Sequence, residues 1–457
     1  MKVSALILIF VITFAQAAEF NDVYTWNFKN TNDNFRLETI NYSSNDHILL
    51  GGTSPGRLGY SIATYSDTLS NAEAFLLSPG GFANCEHFNG GFLGDTANSG
   101  FYYLTFVCKN SSTDVYAYFI AQMNLSDKSV KQYLTITIEN PPAKFKPTNF
   151  PSAFLNSNVV VVIPTSAGQA ILGFSGSLKF EFQKTASSAA LKIQNLAGQH
   201  GSDSFTVVGF ISTSETYVAT FDTSGDLKEH IIYGVNSSGG ATVVMSTSGI
   251  QLCTTGNASN FLLLNPTDLT PIKFQVNSHL DGNSTCIPGD SDSFVLASIE
   301  TEGFPVWIFN AQGEITSSFK STGFNGDRLF PTTGIVINNG EDILFATGSI
   351  NTNDTTYDGF VSIGINANGF DFQTPPTSFN AETSPSTLPN SITWTSPPSL
   401  SGFKQTTATA NFVIAVQVTT QEVPRQENHD DPTNAIHNTV SVFVVLMTML
   451  LLGFPQQ

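Results

Sequence analysis

Short, nearly continuous apolar runs recur along the chain about every 49 residues, with polar turns between them. Four of these runs follow an acidic turn: Asp46-His47-Ile48-Leu49-Leu50-Gly51, Asp203-Ser204-Phe205-Thr206-Val207-Val208-Gly209, Asp292-Ser293-Phe294-Val295-Leu296-Ala297 and Asp342-Ile343-Leu344-Phe345-Ala346. A second apolar run follows and often closes in an Asp/Asn-x-x-Gly turn, as in 217–222 with Gly225, 306–310 with Gly313 and 360–366 with Gly369. Runs this short, bounded by Gly, Asn, Asp and Ser, predict strands, and no helical period competes with them. A fixed period in this range predicts a propeller or a solenoid. The hairpin turns favour the propeller.

The first strong strand of each unit begins near His47, Phe101, Asn158, Ser204, Ile250, Ser293, Ile343 and Ile392. The last unit is incomplete: it offers 392–395 and 412–418 and no fourth strand before a polar tail. A spare strand at 23–28 precedes the first complete unit. Lending it to the last blade would remove a free sheet edge, which otherwise invites aggregation. The expectation is all-β: a single closed β-propeller of seven or eight four-stranded blades, eight favoured, over 19–420. A β-solenoid is the rival architecture.

Units with this order of acidic turn, apolar run, aromatic-containing strand and Asp/Asn-x-x-Gly turn resemble SBBP-type β-propeller repeats of secreted and surface proteins, over residues 35–420. The resemblance implies a fold and carries no catalytic residues. Units two and three depart from it, because Phe101 and Val159 lack the preceding Asp. The Gly-His and Trp-Asp marks of WD40 blades are absent, as is a regular kelch Gly-Gly doublet.

At 457 residues the length alone suggests about three domains, but one propeller can use most of the chain. Apolar residues make up 41% and Phe numbers 38, enough for a large core. Charged residues are only 12%, so Ser, Thr, Asn and Gly must supply the polar surface. A net charge of −18 with Arg only at 36, 57, 328 and 425 argues against nucleic acid and anionic lipid as partners.

The two ends read as targeting segments. Lys2, an apolar run and Ala15-Gln16-Ala17 make 1–17 a secretory signal, the alternative being an N-terminal anchor. A polar spacer at 421–438 precedes an apolar tail at 439–457 with no Lys or Arg after it. That tail resembles a glycosylphosphatidylinositol signal, with Asn428 or Asn434 as attachment candidates. The alternative is a short membrane-spanning helix. Seven sequons (Asn41, Asn110, Asn124, Asn236, Asn257, Asn283 and Asn353) fit secretion. So do four cysteines, for which Cys85–Cys108 and Cys253–Cys286 are the favoured pairs and free buried thiols the alternative.

Candidate chemistry is sparse. The recurring Asp46, Asp203, Asp292 and Asp342 could hold calcium, but their spacing suits turn caps better, and no metal is expected. No sialidase turn or Arg cluster occurs. A glycosidase pair would have to come from acids such as Glu38, Asp95, Glu215, Glu300 and Glu302, which no spacing singles out. No nucleophile motif, zinc pair or phosphate-cradling loop appears, and no cofactor is implied. Phe82, Phe88, Phe92 and Tyr102-Tyr103 could stack on sugar or a partner, although packing between blades accounts for them better. The expected role is a non-catalytic adhesion or recognition scaffold on the outer cell surface, with a surface protein or carbohydrate ligand. A surface glycan hydrolase and a structural coat protein are the alternatives.

Overall fold

The computed structural model describes the chain between Val23 and Glu422 except residues 29–35, 44–46, 55–56, 65–72, 95–99, 114, 140, 142–145, 148, 166–167, 199–203, 247–248, 257, 278–283, 289–293, 299–303, 322–330, 338–341, 353–354, 365–371, 374–379, 382–383 and 417. In the seventh sheet, and in parts of the first, fifth and sixth, the backbone alone is described.

The described strands form seven antiparallel sheets of five strands each. Consecutive chain supplies four strands to each of six blades. Blade 1 takes Arg36–Ser43, His47–Ser54, Arg57–Thr64 and Glu73–Leu77, and blade 2 takes Phe82–Gly91, Phe101–Asn110, Tyr116–Asn124 and Val130–Ile138. Blade 3 takes Ser152–Phe154, Asn158–Pro164, Gln169–Ser175 and Phe180–Ala186, and blade 4 takes Lys192–Gly198, Ser204–Ser212, Glu215–Asp222 and Leu227–Tyr233. Blade 5 takes Gly240–Ser246, Gly249–Thr255, Ser259–Leu264 and Pro271–Asn277, and blade 6 takes Ser284–Pro288, Phe294–Ser298, Phe304–Phe309 and Ile315–Ser321. Blade 7 takes Pro331–Ile337, Asp342–Thr352 and Thr355–Gly364, and its fourth strand is the N-terminal Val23–Phe28, with Val23 opposite Val361 and Tyr24 opposite Phe360. The spare strand therefore completes the last blade that is built, blade 7, and not the incomplete eighth unit to which the sequence assigned it. First strands of successive blades lie against one another, and that of blade 1 also meets that of blade 7.

Second and third strands are buried on both faces because each sheet is sandwiched between two neighbours. Tyr102 to Cys108 and Ala117 to Met123 are unbroken buried runs for this reason. The expected strand starts from His47 to Ile343 fall on the second strand of a blade. The blade boundary lies one strand earlier than the apolar runs suggest, because first strands are interrupted by polar residues and bulges at Leu37/Thr39, Ala83/Glu86/Asn89 and Ile193/Asn195.

The eighth unit is not built as a unit. Residues 372–422 instead run backwards around the rim as a belt and add a fifth strand to every blade. Phe372–Gln373, Asn380–Ala381, Thr387–Leu388, Trp394–Thr395, Phe403–Ala408, Val413–Val416 and Val418–Glu422 pair with blades 6, 5, 4, 3, 2, 1 and 7 in that order. Short strands with prolines between them suit an outer edge that must not recruit other chains. The belt also plugs the seams between blades. Phe412 packs among blades 1 and 2, Phe403 among blades 2 and 3, and Ile392 among blades 3 and 4. Each such burial stabilises by roughly 2 kcal/mol.

Candidate functional site

A polar seam crosses the first strands of blades 1 to 3. Thr39 Oγ1 donates to Asn89 Oδ1 at 2.9 Å, and Asn89 Nδ2 donates to Ser152 Oγ at 2.9 Å and to the Ser152 carbonyl at 3.1 Å. Asn41 Nδ2 donates to the Gly90 carbonyl and to Thr39 Oγ1. Further round, the Val243 N–H donates to Asn195 Oδ1 at 3.2 Å, linking blades 4 and 5. These amides join neighbouring blades where apolar side chains leave off.

Beside this seam the first strand of blade 2 carries a strained segment. Asn84 and His87 have positive φ values of 47° and 58°, and Cys85, between them, is bonded to Cys108. The bulge turns Glu86 toward Lys146, whose Nζ lies 3.2 Å from Glu86 Oε2. That contact raises the Lys146 pKa. Glu86 Oε1 and the Tyr118 hydroxyl are buried without a hydrogen-bond partner. Burial, then the charge of Glu86, pushes the Tyr118 phenol far up. One carboxylate, one ammonium and one neutral phenol make an ion-pair site. They do not supply the two carboxylates that glycoside hydrolysis needs.

On the rim, blade 3 holds the belt with three consecutive polar residues. Gln183 Nε2 donates to the Ser401 carbonyl at 3.1 Å, and the Ser401 N–H donates back to Gln183 Oε1 at 2.9 Å. Lys184 Nζ reaches Ser396 Oγ at 2.8 Å and Asp226 Oδ1, in the next blade, at 2.7 Å. Thr395 Oγ1 donates to the Thr185 carbonyl. A polar cleft of about 410 Å³ lies here, lined by Glu139, Thr165, Gln183, Thr185, Ser396 and Ser401 among others. One blade further, Trp394 inserts beside Tyr217, Phe221 and His230.

The turns between third and fourth strands share one design. At Lys128, Leu178, Gly225, Leu269 and Gly313 the backbone is left-handed, with φ from 56° to 81°. A one-residue bulge follows each, placing Lys131, Glu181, Lys228, Ile272 and Thr316 opposite no partner. All five are exposed. Three of them are charged and Thr316 is polar, so Ile272, 58% exposed, is the one apolar residue among the five. Leu227 and Ile315, next to the bulge in the flanking blades, are exposed too. Among the described residues only one other large apolar side chain, Ile414, is exposed.

Several expectations meet the structure here. The Asp222–Gly225 and Asn310–Gly313 turns form as read, with the acid or amide oxygen capping backbone N–H groups two and four residues on. Cys85 and Cys108 pair across adjacent strands. Cys253 is buried between blades 5 and 6, and Cys286 lies in the first strand of blade 6 with its side chain outside the described residues. The aromatic cluster is not a surface. Phe88, Phe92, Tyr102 and Tyr103 are buried, Phe88 stacks on Tyr60, and Tyr60 and Tyr102 share a 2.8 Å hydrogen bond, because blade 2 packs Phe88, Phe92 and Tyr102 against blade 1 and Tyr103 against blade 3. Burial pushes both phenols up.

Asp46, Asp203, Asp292, Asp95, Glu300, Glu302, Asn257, Asn283, Asn353, Asn428 and Asn434 lie outside the described residues, as do the side chains of Glu38 and Asp342. Glu215 opens the third strand of blade 4. Among the described residues no three His, Cys, Asp or Glu gather as a metal site would require, and no helix is long and apolar enough to cross a membrane. The course of the belt and the anchor Phe403 escaped sequence reasoning, although the strands at 392–395 and 412–418, which hold Trp394 and Phe412, were legible as strands of an eighth unit.

No family model matches the chain, so the SBBP resemblance extends no further than architecture. No curated protein matches it either. Solved structures with a similar fold include a chain of the mitotic checkpoint complex, at TM-score 0.48 and 8% identity over 74% of this chain and 90% of that one. The WD40 domain of Toxoplasma gondii coronin gives TM-score 0.46 and 10% identity over 77% and 91%. Chaetomium thermophilum Raptor gives 0.41 and 9% over 76% of this chain, which spans only 30% of Raptor's length. At these identities no functional argument passes to this chain. Its own strand order defines it as a β-propeller repeat protein.

Proposed function

We propose that this propeller is a binding scaffold that is secreted, glycosylated and held on the outer cell surface by a C-terminal lipid, and that it works by presenting one face of a rigid disc to a protein partner. The observation that carries the binding role is the row Leu227, Ile272 and Ile315. Three of the four exposed large apolar side chains among the described residues lie at the start of the fourth strand on three successive blades, Ile272 at the bulge and Leu227 and Ile315 one residue before it. Apolar residues repeated at one place mark a contact surface better than scattered ones do. The Cys85–Cys108 bond, the signal-like 1–17 and the sequons support an oxidising, secretory setting.

The test is adhesion of the full chain to intact cells and to a glycan array, compared with Leu227→Ser/Ile272→Lys/Ile315→Ser. A loss of cell binding of tenfold or more supports the reading. Equal binding by the variant, or turnover of glycans on the array, overturns it. Release from cells by phosphatidylinositol-specific phospholipase C tests the anchor. Retention after effective treatment counts against a lipid.

A further inference from the structure

The sequons are not equivalent in the fold. Asn110 lies between the second and third strands of blade 2, and Asn236 between blades 4 and 5. Strands alternate in direction, so both connections emerge on the same face of the disc. The turns between first and second, and third and fourth, strands occupy the opposite face.

The local chemistry also differs. At Asn110 the side-chain oxygen accepts from Ser112 Oγ at 2.8 Å and from the Ser112 and Thr113 N–H groups at 3.0 Å. At Asn236 it accepts from Ser238 Oγ at 2.8 Å and from the Ser238 N–H at 3.0 Å. In both, the sequon hydroxyl donates to the amide oxygen, and the side chain joins the turn through Oδ1 rather than Nδ2, beside backbone bonds such as Asn110 N–H to the Val115 carbonyl and Gly240 N–H to the Ser237 carbonyl. Ser111–Thr113 and Ser238–Gly239 are exposed, whereas Ser237, beside Asn236, is buried. Asn41 is the reverse. Its Nδ2 is spent on the Gly90 carbonyl and Thr39 Oγ1, inside the seam that joins blades 1 and 2. Replacing one of its N–H protons by a sugar would push the first strands of these blades apart. Asn124 lies in a turn on the opposite face, with Nδ2 donating to Ser129 Oγ at 2.8 Å.

We propose that Asn110 and Asn236 carry N-linked glycans, that Asn41 stays bare, and that these two glycans crowd the face of the propeller opposite Leu227, Ile272 and Ile315. This rests on the secretory reading above. The donor is an oligosaccharide on a lipid pyrophosphate. The amide nitrogen bonds to the anomeric carbon, the bond from that carbon to the pyrophosphate oxygen breaks, and the amide proton leaves.

The experiment expresses the full chain in a eukaryotic secretory host, removes N-glycans with an amidase that converts each occupied Asn to Asp, and maps the sites by mass spectrometry. Asp at 110 and 236 with Asn at 41 is the expected result. Asn at 110 and 236, in protein that has left the cell with Cys85–Cys108 oxidised, overturns the proposal. So does Asp at 41 in folded protein. A chain that remains reduced and unmodified at all seven sequons overturns the secretory reading and the proposal with it. Ser112→Ala and Ser238→Ala should each lose one glycan, while Ser112→Thr and Ser238→Thr should keep it. This set separates loss of the sequon from loss of the turn, since Oδ1 still caps the backbone in all four.

Discussion

Trp394 of the belt donates its indole N–H to the hydroxyl of Tyr217, in blade 4, at 2.8 Å, and packs edge-on against Phe221. The same hydroxyl lies 3.3 Å from His230 Nδ1. Two residues 177 apart in sequence thus fasten the belt to the seam between blades 3 and 4. Trp394→Phe should cost about 1 kcal/mol, since it removes one hydrogen bond and leaves a buried phenol short of a partner. Trp394→Ala should cost about 3 kcal/mol through lost packing. Urea unfolding measures both. A double-mutant cycle with Tyr217→Phe should give a non-zero coupling, and additivity would show that the bond contributes nothing.

The left-handed turn positions make opposite demands. Gly225 has φ +81°, and a Cβ there would lie 2.4 Å from the Phe182 ring of blade 3. Gly225→Ala should therefore destabilise by about 2 kcal/mol, from backbone strain plus overpacking. Leu269 has the same handedness but is buried between blades 4 and 5, and its carbonyl accepts from the Tyr233 hydroxyl. Leu269→Gly relieves about 1 kcal/mol of strain and loses about 3 kcal/mol of burial and packing. The net should be destabilising, and a gain in thermal midpoint would refute the account.

Tyr118 buries its hydroxyl without a partner, close enough to Glu86 to feel its charge. Tyr118→Phe should leave stability unchanged or raise it by up to about 1 kcal/mol, because no hydrogen bond is lost. A loss above that size would reveal a partner for the phenol. Guanidinium denaturation settles the sign.

Acidification should weaken the fold in two stages. Burial lowers the His230 pKa, against an opposing pull from Glu229. The unfolded chain therefore binds this proton first, so the stability it contributes is present above about pH 6.5 and is lost as pH falls further. Asp127, Asp222 and Asp268 are held below the ordinary carboxylate range. Hydrogen bonds from Ser129 and Thr270 do this for Asp127 and Asp268; at Asp222, bonds from Ser224 and Asp226 outweigh burial. Their contribution is present above about pH 4 and is lost below it. His230→Asn should flatten the first stage and leave the second. An unchanged slope between about pH 7 and pH 5 would remove His230 from the account.

What could be read in the sequence follows from burial. A strand covered on both faces must be apolar throughout, so His47–Ser54, Asn158–Pro164 and Ser204–Ser212 stand out from the chain. First strands such as Phe82–Gly91 face a neighbour through Asn89 and Glu86 and break twice in register, which hides them. The belt was misread because it has no period. Trp394–Thr395 pairs at two positions only, and its energy resides in single side chains whose partners lie elsewhere in sequence. The run at 412–418 looked like one strand of an eighth unit, yet Val413–Val416 joins blade 1 and Val418–Glu422 joins blade 7. The sequons were legible as motifs. That Asn41 is turned into the seam was not, since only the neighbouring blade's Gly90 and Asn89 reveal it.

The belt meets blades 6 to 1 in reverse of the order in which they leave the ribosome, and blade 7 last. Until residues 372–422 are made every sheet has an unfinished outer margin, blade 1 for the longest time. A message cut short before residue 372 would deprive all seven sheets of their fifth strand at once. Completeness of synthesis is thereby registered around the whole circumference, and truncated products should present themselves to quality control as uniformly open rings.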